Sequence, residues 1–402
     1  MFLQFKVSNF RSIGEEQVLS LLPEANQEEF PENILENDGY SALKMAALYG
    51  ANGSGKSNVM KAIGEFISMV KDTAHAAFSD TLEFDPFLLR EGWEEKPTVF
   101  EMIFALQEHR YRYGFSFNAT HILKEYLFRQ TKGGEVEVFE REGDTVNPGS
   151  SLKATAKVIS SAIKKTKSNS LFLANLYALK VAEANVIFEF FNRNIMIDGL
   201  KSFNFGVLDS LCESAEVKIK VSQHLKRLKA GLLNVDAQVY GAVATHKFYD
   251  KDGNATEKTV SWDFFERESS GANEVLEFSV PINVILQLGG VLIIDELEAK
   301  LHPLITLDTI NLFLNKVTNP NNAQLIFSTH DTNLLSYARL RRDQIYFVEK
   351  NSWESTEIYS LSAFSSLHSQ EGSKSAESQD TDKEKGYFEG RYGALPVLDF
   401  KW

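Results

Sequence analysis

The chain has 402 residues, of which 43% are hydrophobic and 12% aromatic, enough to bury the cores of two or three domains. Its net charge of −13 argues against a general binder of polyanions, although a local basic patch is compatible with it. The single Cys212 excludes an intramolecular disulfide, and the sequence shows neither a secretory signal nor an apolar run that could span a membrane, so we expect a cytoplasmic protein.

The first 150 residues predict a lobe built on a largely antiparallel sheet. Apolar residues alternate with polar ones in several segments, as in half-buried strands, and these segments are residues 2–7, 18–22, 98–117 and 135–139. Residues 23–38 are polar and acidic and predict a loop. Residues 45–49 predict a buried strand, and the apolar spacing of 58–69 predicts a helix shortly after it.

From residue 151 the pattern becomes helical and then returns to alternating strands and helices. We predict a helical insertion over 151–235 and a second lobe over 236–364, with a hairpin turn at 250–254. Residues 365–386 are rich in serine and charge and predict a disordered linker, whereas the aromatic residues 387–402 predict a tail that docks. The insertion carries a lysine patch with no acidic residue inside it, which is either a solvated helix face or a contact for DNA, RNA or an acidic protein: Lys153, Lys157, Lys164, Lys165 and Lys167.

Residues 50–57 read Gly-Ala-Asn-Gly-Ser-Gly-Lys-Ser between the predicted strand and helix, which is the sequence and context of a P-loop. Backbone N–H groups of such a loop bind phosphates, with Lys56 placed for the β- and γ-phosphates and Ser57 for Mg²⁺. The sequence therefore predicts an ATP and Mg²⁺ site, with these nucleotide-binding candidates: Asn52, Gly53, Ser54, Gly55, Lys56, Ser57 and Asn58.

Residues 291–296, Val-Leu-Ile-Ile-Asp-Glu, form an apolar strand that ends in two carboxylates. Asp295 is predicted to lie just outside the direct ligands of Mg²⁺ or to bind the ion through water, and Glu296 to polarise the attacking water. The alternative is a surface carboxylate pair that ends the strand. His330 follows a second apolar strand at 325–329, where it is either a sensor of the γ-phosphate or a half-exposed loop histidine.

Ser269, Ser270 and Gly271 form a turn before an apolar helix, a position suited to phosphate binding. The order of P-loop, Ser-x-Gly signature, Asp295-Glu296, an Ala-x-Leu-His segment at 299–302 and His330 resembles that of ABC-class ATPases. The opening Val-Ser-Asn-Phe-Arg-Ser at 7–12 is similar to SMC- and RecF-like heads, and that resemblance implies that Arg11 reaches the bound phosphates. Residues 342–349 and 390–396 extend the resemblance to the abortive-infection ATPases of the RloA/AbiLi kind, an ABC-class branch of the AAA-type ATPases.

The resemblance implies an α/β ABC-ATPase head with a mixed-sheet lobe, a parallel-sheet P-loop lobe and a small helical insertion. It also implies a homodimer in which the signature serves the partner's nucleotide, and a regulatory role in phage defence through a separate effector from an adjacent gene. Ala272 and Glu298 stand where the family often has Thr and Asp, and neither Gln107 nor Gln130 has the context of a Q-loop. The alternatives are a DNA-clamping ATPase of the SMC/RecF type and a transporter-associated ABC subunit.

Overall fold

The computed structural model describes residues 1–72, 81–198, 214–228, 232–238, 241–299, 301–364 and 382–396. Cys212, most of the predicted linker and the end of the predicted tail lie outside these ranges. Within them, no helix is both long and apolar enough to cross a bilayer.

The first sheet has seven antiparallel strands in the order β10-β9-β8-β7-β6-β1-β2. Its strands are β1 (Phe2–Ser8), β2 (Gln17–Ser20), β6 (Thr98–Leu106), β7 (His109–Phe117), β8 (Ile122–Thr131), β9 (Gly134–Glu142) and β10 (Thr145–Pro148). The strands predicted from alternation are therefore confirmed.

The second sheet, the P-loop sheet, has six strands in the order β11-β15-β16-β5-β17-β18. They are β5 (Met45–Tyr49), β11 (Ile195–Asp198), β15 (Val291–Asp295), β16 (Gln324–Ser328), β17 (Ile345–Lys350) and β18 (Thr356–Ser360). All neighbours are parallel except β17 and β18. Strands β5, β15 and β16 are buried at every residue, as expected for parallel strands covered on both faces.

Two smaller sheets complete the strands. β12 (Leu232–Gln238), β13 (Gly241–Tyr249) and β14 (Ala255–Asp263) form an antiparallel sheet, and the predicted turn at 250–254 joins its last two strands. β3 (Ile34–Asn37) pairs with β4 (Tyr40–Leu43). The prediction of a loop over 23–38 is thus wrong for residues 34–37. This polar segment becomes a strand because it forms hydrogen bonds with β4, and its own sequence pattern does not predict that pairing.

The helices lie between and outside these sheets. They are α1 (Lys56–Asp72), α2 (Ala156–Lys165), α3 (Phe172–Ala178), α4 (Ala182–Asn192), α5 (Ala215–Leu228), α6 (Phe264–Arg267), α7 (Ser270–Leu288), α8 (Pro303–Leu314), α9 (Asn333–Tyr337) and α10 (Lys383–Phe388). Short 3-10 helices occur at Pro31–Asn33 and Arg342–Gln344.

Helix α1 packs between the first sheet and the P-loop sheet, and its Phe66 stacks on Phe115 at 5.2 Å with an interplanar angle of 6°. Along β5, Ala46 and Leu48 face this aromatic core, while Met45, Ala47 and Tyr49 face a second core under α7, α8 and α9. A third core lies between α5, the β12–β14 sheet and the first half of α7. The predicted α/β class, with a largely antiparallel lobe and a parallel P-loop lobe, is confirmed.

Residues 151–235, grouped by the sequence as one helical insertion, lie in three places. Helices α2, α3 and α4 pack on the aromatic core of the first sheet, and β11 pairs with β15 in the P-loop sheet. Helix α5 and β12 belong to the third core.

Candidate functional site

The P-loop joins β5 to α1 at the edge of the P-loop sheet where β15 and β16 also end. Ser328 pairs with Leu48 and Ile294 with Phe327, so the carboxyl ends of these three strands are level. Ligands of open parallel sheets bind at such an edge. The fold therefore brings together the three segments that the sequence singled out on separate strands.

Two glycines give the P-loop its shape. Gly53 has φ +77° and Gly55 has φ +111°, values that only glycine adopts without strain. A Cβ on Gly55 would overlap the Thr356 hydroxyl, whereas a Cβ on Gly53 would meet nothing within 4 Å. Thr356 Oγ1 in turn donates to Ser54 O at 3.1 Å, so the first residue of β18 holds the backbone of the P-loop.

Lys56 is 5% exposed at the first residue of α1. Its Nζ donates to Gly50 O at 2.8 Å and to Ala51 O at 3.1 Å, which folds the ammonium over the loop. Burial lowers the pKa of Lys56, and the charges of Asp295, Glu298 and Glu296 oppose that shift. An anionic phosphate beside Lys56 would relieve the same cost.

Asn58 is positioned by Ser12, which in turn contacts Thr356 near the other end of the chain. Its Nδ2 donates to Ser12 Oγ at 2.7 Å, and Ser12 Oγ lies 2.8 Å from Thr356 Oγ1. The loop after β1 is therefore part of the support of the P-loop. Arg11, the residue before Ser12, has φ +52° and forms an ion pair with Asp85 at 3.1 Å.

The end of β15 presents the two predicted carboxylates in different ways. Asp295 is 5% exposed, and its Oδ1 accepts from Ser328 Oγ at 2.5 Å. Glu296 is half-buried with φ +55°, and its N–H donates to the same Ser328 Oγ at 2.8 Å. The Ser328 hydroxyl thus holds the Asp295 carboxylate toward the P-loop. It also holds the backbone turn that points Glu296 in another direction.

The segment after β16 is called here the switch segment, residues 329–333. It begins where Thr329 N donates to Leu48 O at 3.0 Å, directly before the P-loop. His330 is exposed, and its backbone N–H donates to Glu298 Oε1 at 2.6 Å. Partial burial of the ring and the charge of Lys56 lower the pKa of the His330 imidazole, whereas the charges of Glu298, Glu296 and Asp295 act in the opposite direction.

The signature turn, residues 269–271, starts α7 at the surface. Ser269 is the N-cap and accepts from Ala272 N at 3.2 Å, while Ser270 and Gly271 are exposed. Glu268, just before the turn, accepts from Trp262 Nε1 at 2.9 Å and lies 2.8 Å from His246 Nε2. Among the described residues no hydrogen bond or ion pair joins the signature turn to the P-loop.

Ser328 and Thr356 were not predicted from the sequence to take part in the site, and the contact of Glu298 with His330 was not predicted either. Ser328 had a usable signal, since it is the last polar residue of an apolar strand next to β15. Thr356 had none, because it comes from a strand some 300 residues after the P-loop. Gln107 and Gln130 both lie at the hairpin ends of the first sheet.

The residues present suit a magnesium nucleotide. Asp295 is a buried carboxylate with one oxygen bonded to Ser328, and Ser57 follows Lys56 at the positive end of α1. Hydroxyl and carboxylate oxygens are ligands that Mg²⁺ accepts together with phosphates.

Two stretches of the chain, residues 45–153 and 261–336, match the family described as "AAA domain, putative AbiEii toxin, Type IV TA system". Among solved structures, "SMC head domain from Thermotoga maritima" is 12% identical over 89% of this chain and 98% of that chain, with a TM-score of 0.43. "Crystal structure of the SmcHead bound to the C-winged helix domain of ScpA" is 13% identical over 91% and 99%, with a TM-score of 0.46. No curated protein matches the chain. The two matched stretches contain the P-loop, the signature turn, Asp295, Glu296 and His330.

Proposed function

We propose that this protein binds and hydrolyses ATP as an ABC-class ATPase and works as a dimeric switch. One observation carries the proposal: β5, β16 and β15 deliver Lys56, His330 and the pair Asp295–Glu296 to one edge of one parallel sheet. Phosphoryl transfer needs little covalent chemistry from the protein, and depends on positioning and electrostatic stabilisation. These groups supply both.

Each group has a separate part in the reaction. The P-loop amides and Lys56 would bind the β- and γ-phosphates, and Ser57 and Asp295 would hold Mg²⁺, which would neutralise phosphate charge. Glu296 orients the attacking water and accepts its proton. The His330 imidazole has an N–H to donate to the γ-phosphate, which would make the switch segment sensitive to whether that phosphate is present.

The dimer follows from the signature turn. Its serines and the N-terminus of α7 are exposed and carry no contact to the P-loop of the same chain among the described residues. Exposed N–H groups at a helix N-terminus bind anions. In a symmetric pair, each signature turn would close on the γ-phosphate held by its partner.

The role we propose for the switch is control of a separate effector in anti-phage abortive infection. The toxin–antitoxin wording of the matched family supports it. The direct check is co-expression with the product of the adjacent gene, followed by copurification with and without ATP. Copurification that does not respond to ATP would contradict control by the switch.

A DNA-clamping ATPase is the second candidate, and the lysine patch is what favours it. All five of its lysines are exposed on or beside α2, and none has an ion pair within the described part of the chain. The remaining face of α2 packs on the aromatic core through Val158, Ile159 and Ile163, which holds the patch outward.

Glu296→Gln tests the ATPase itself. The amide keeps the size of the side chain but is not a base, so we expect ATP binding to persist while turnover falls about a hundredfold or more. Light scattering should then detect an ATP-dependent dimer that wild type forms only transiently. Near-normal turnover in this variant would remove Glu296 from the mechanism.

A further inference from the structure

The turn after β15 brings a third carboxylate to the site. Leu297 N donates to Ser328 O at 3.0 Å, which joins this turn to the end of β16. Leu301 N donates to Glu298 O, also at 3.0 Å. From it, Glu298 Oε1 accepts the backbone N–H of His330 at 2.6 Å. A side chain from the β15 turn therefore holds the main chain of the switch segment.

The second oxygen of Glu298 is buried, and the charges of Glu298 and Asp331 both act on the buried hydroxyl of Tyr49. Glu298 Oε2, Asp331 Oδ2 and Tyr49 Oη are buried, and none has a hydrogen-bond partner among the described residues. Tyr49 directly precedes the P-loop, and Thr329 bonds to its neighbour Leu48. Unpaired buried polar atoms are unfavourable, so a carboxylate at this position lowers the stability of the fold. Such a cost is typical of a residue that has a functional role.

The charge of Glu298 also acts on two basic groups of the site, Lys56 and His330. It favours the charged forms of both Lys56 and His330, against the burial that disfavours them. The carboxylate thus couples the P-loop lysine to the switch segment through charge and holds the segment through its hydrogen bond.

We propose that Glu298 is a positioning residue that fixes the main chain of His330 so that the imidazole stays aligned with the phosphate end of the P-loop. The inference rests on the proposed function, because it assigns Glu298 a part in that same site. The Glu298 side chain is long enough to reach His330 N, and an aspartate at this position would be one methylene shorter.

Glu298→Ala, Glu298→Asp and Glu298→Gln separate position from packing. A hydrogen bond to a charged acceptor is worth about tenfold or more in the population of the bonded conformation. We expect Ala and Asp to lower kcat for ATP about tenfold or more, with KM changed less than about threefold. Gln keeps an acceptor oxygen at the same reach and should restore at least about a third of wild-type kcat.

Two further variants make the result decisive. Glu257→Ala, at an exposed glutamate of β14, is the control for loss of one carboxylate and should match wild type. If His330→Ala is inactive while Glu298→Ala turns over normally, the positioning role is wrong and the ATPase stands. If wild type itself hydrolyses no ATP, the proposed function fails instead. Normal turnover in both His330→Ala and Glu296→Gln would show that these two residues do not act in hydrolysis. A Gln variant as inactive as Ala, at equal melting temperature, would also overturn positioning. Should Ala fail to fold, the Gln and Asp pair gives the same contrast.

Discussion

Replacing Gly55 by alanine tests whether the P-loop is held against β18. Gly55 has φ +111°, and an added Cβ overlaps Thr356 Oγ1 and lies 2.7 Å from its Cγ2. Thr356 is fully buried and its hydroxyl contacts Ser12 and Ser54, so it cannot retreat. Backbone strain costs about 1–3 kcal/mol and overpacking about 1–3 kcal/mol, so we expect Gly55→Ala to lower the free energy of unfolding by about 2–6 kcal/mol.

Gly53→Ala is the matched control in the same loop. Its φ of +77° carries strain of about 1–2 kcal/mol, and the new Cβ meets open space. Urea unfolding followed by tryptophan fluorescence measures both variants, and binding of a fluorescent ATP analogue shows whether the loop still accepts phosphate. Adding Thr356→Ala to Gly55→Ala should recover part of the loss, because it removes the two overlapping atoms. Equal losses in the two glycine variants, with no recovery, would refute the reasoning.

Two further predictions concern the C-terminal segment and the lysine patch. Tyr387 is 6% exposed and stacks on Phe347 at 5.5 Å, whereas the adjacent Phe388 is 63% exposed. Tyr387→Ala should therefore lower the free energy of unfolding by about 3–5 kcal/mol and Phe388→Ala by under about 1 kcal/mol, as urea unfolding would show; similar losses would mean that the segment does not dock as described. If the lysine patch contacts phosphates of DNA, changing its five lysines to Gln should flatten the slope of log affinity against log salt by up to about 4.5, and an unchanged slope would leave the patch as a solvated face.

Local patterns predicted the parts of the site that lie next to each other in sequence. The P-loop spacing, the Asp-Glu pair after four apolar residues and the histidine after the next strand each carry their own chemistry, so Lys56, Asp295 and His330 could be named directly. The strands of the first sheet were predictable for the same reason, since Phe100, Met102 and Phe104 alternate inward.

Contacts between distant segments were not predictable. Nothing in the residues 195–198 says that they pair with β15 instead of continuing the helical region. Glu298 and Thr356 take part in the site through hydrogen bonds to His330 and Ser54, which are 32 and 302 residues away in the sequence. Such pairings depend on how whole elements pack, which hydrophobic periodicity along one segment does not encode.

The central claim is a nucleotide site completed by a second copy of the chain, and mixing two inactive variants tests it most directly. Gly271 is exposed and a side chain there meets nothing within 4 Å, so Gly271→Asp places a carboxylate at the signature turn without disturbing the fold. Lys56→Ala removes the phosphate contact of the P-loop. Each variant alone should hydrolyse almost no ATP.

In a mixed dimer one site keeps both an intact P-loop and an intact signature turn. Random exchange makes half of the dimers mixed, with one good site of two, so about a quarter of wild-type turnover should return if the sites act independently. Recovery of that size in a mixture whose heterodimers are verified by two affinity tags is the result expected. No recovery in verified heterodimers would contradict a shared site.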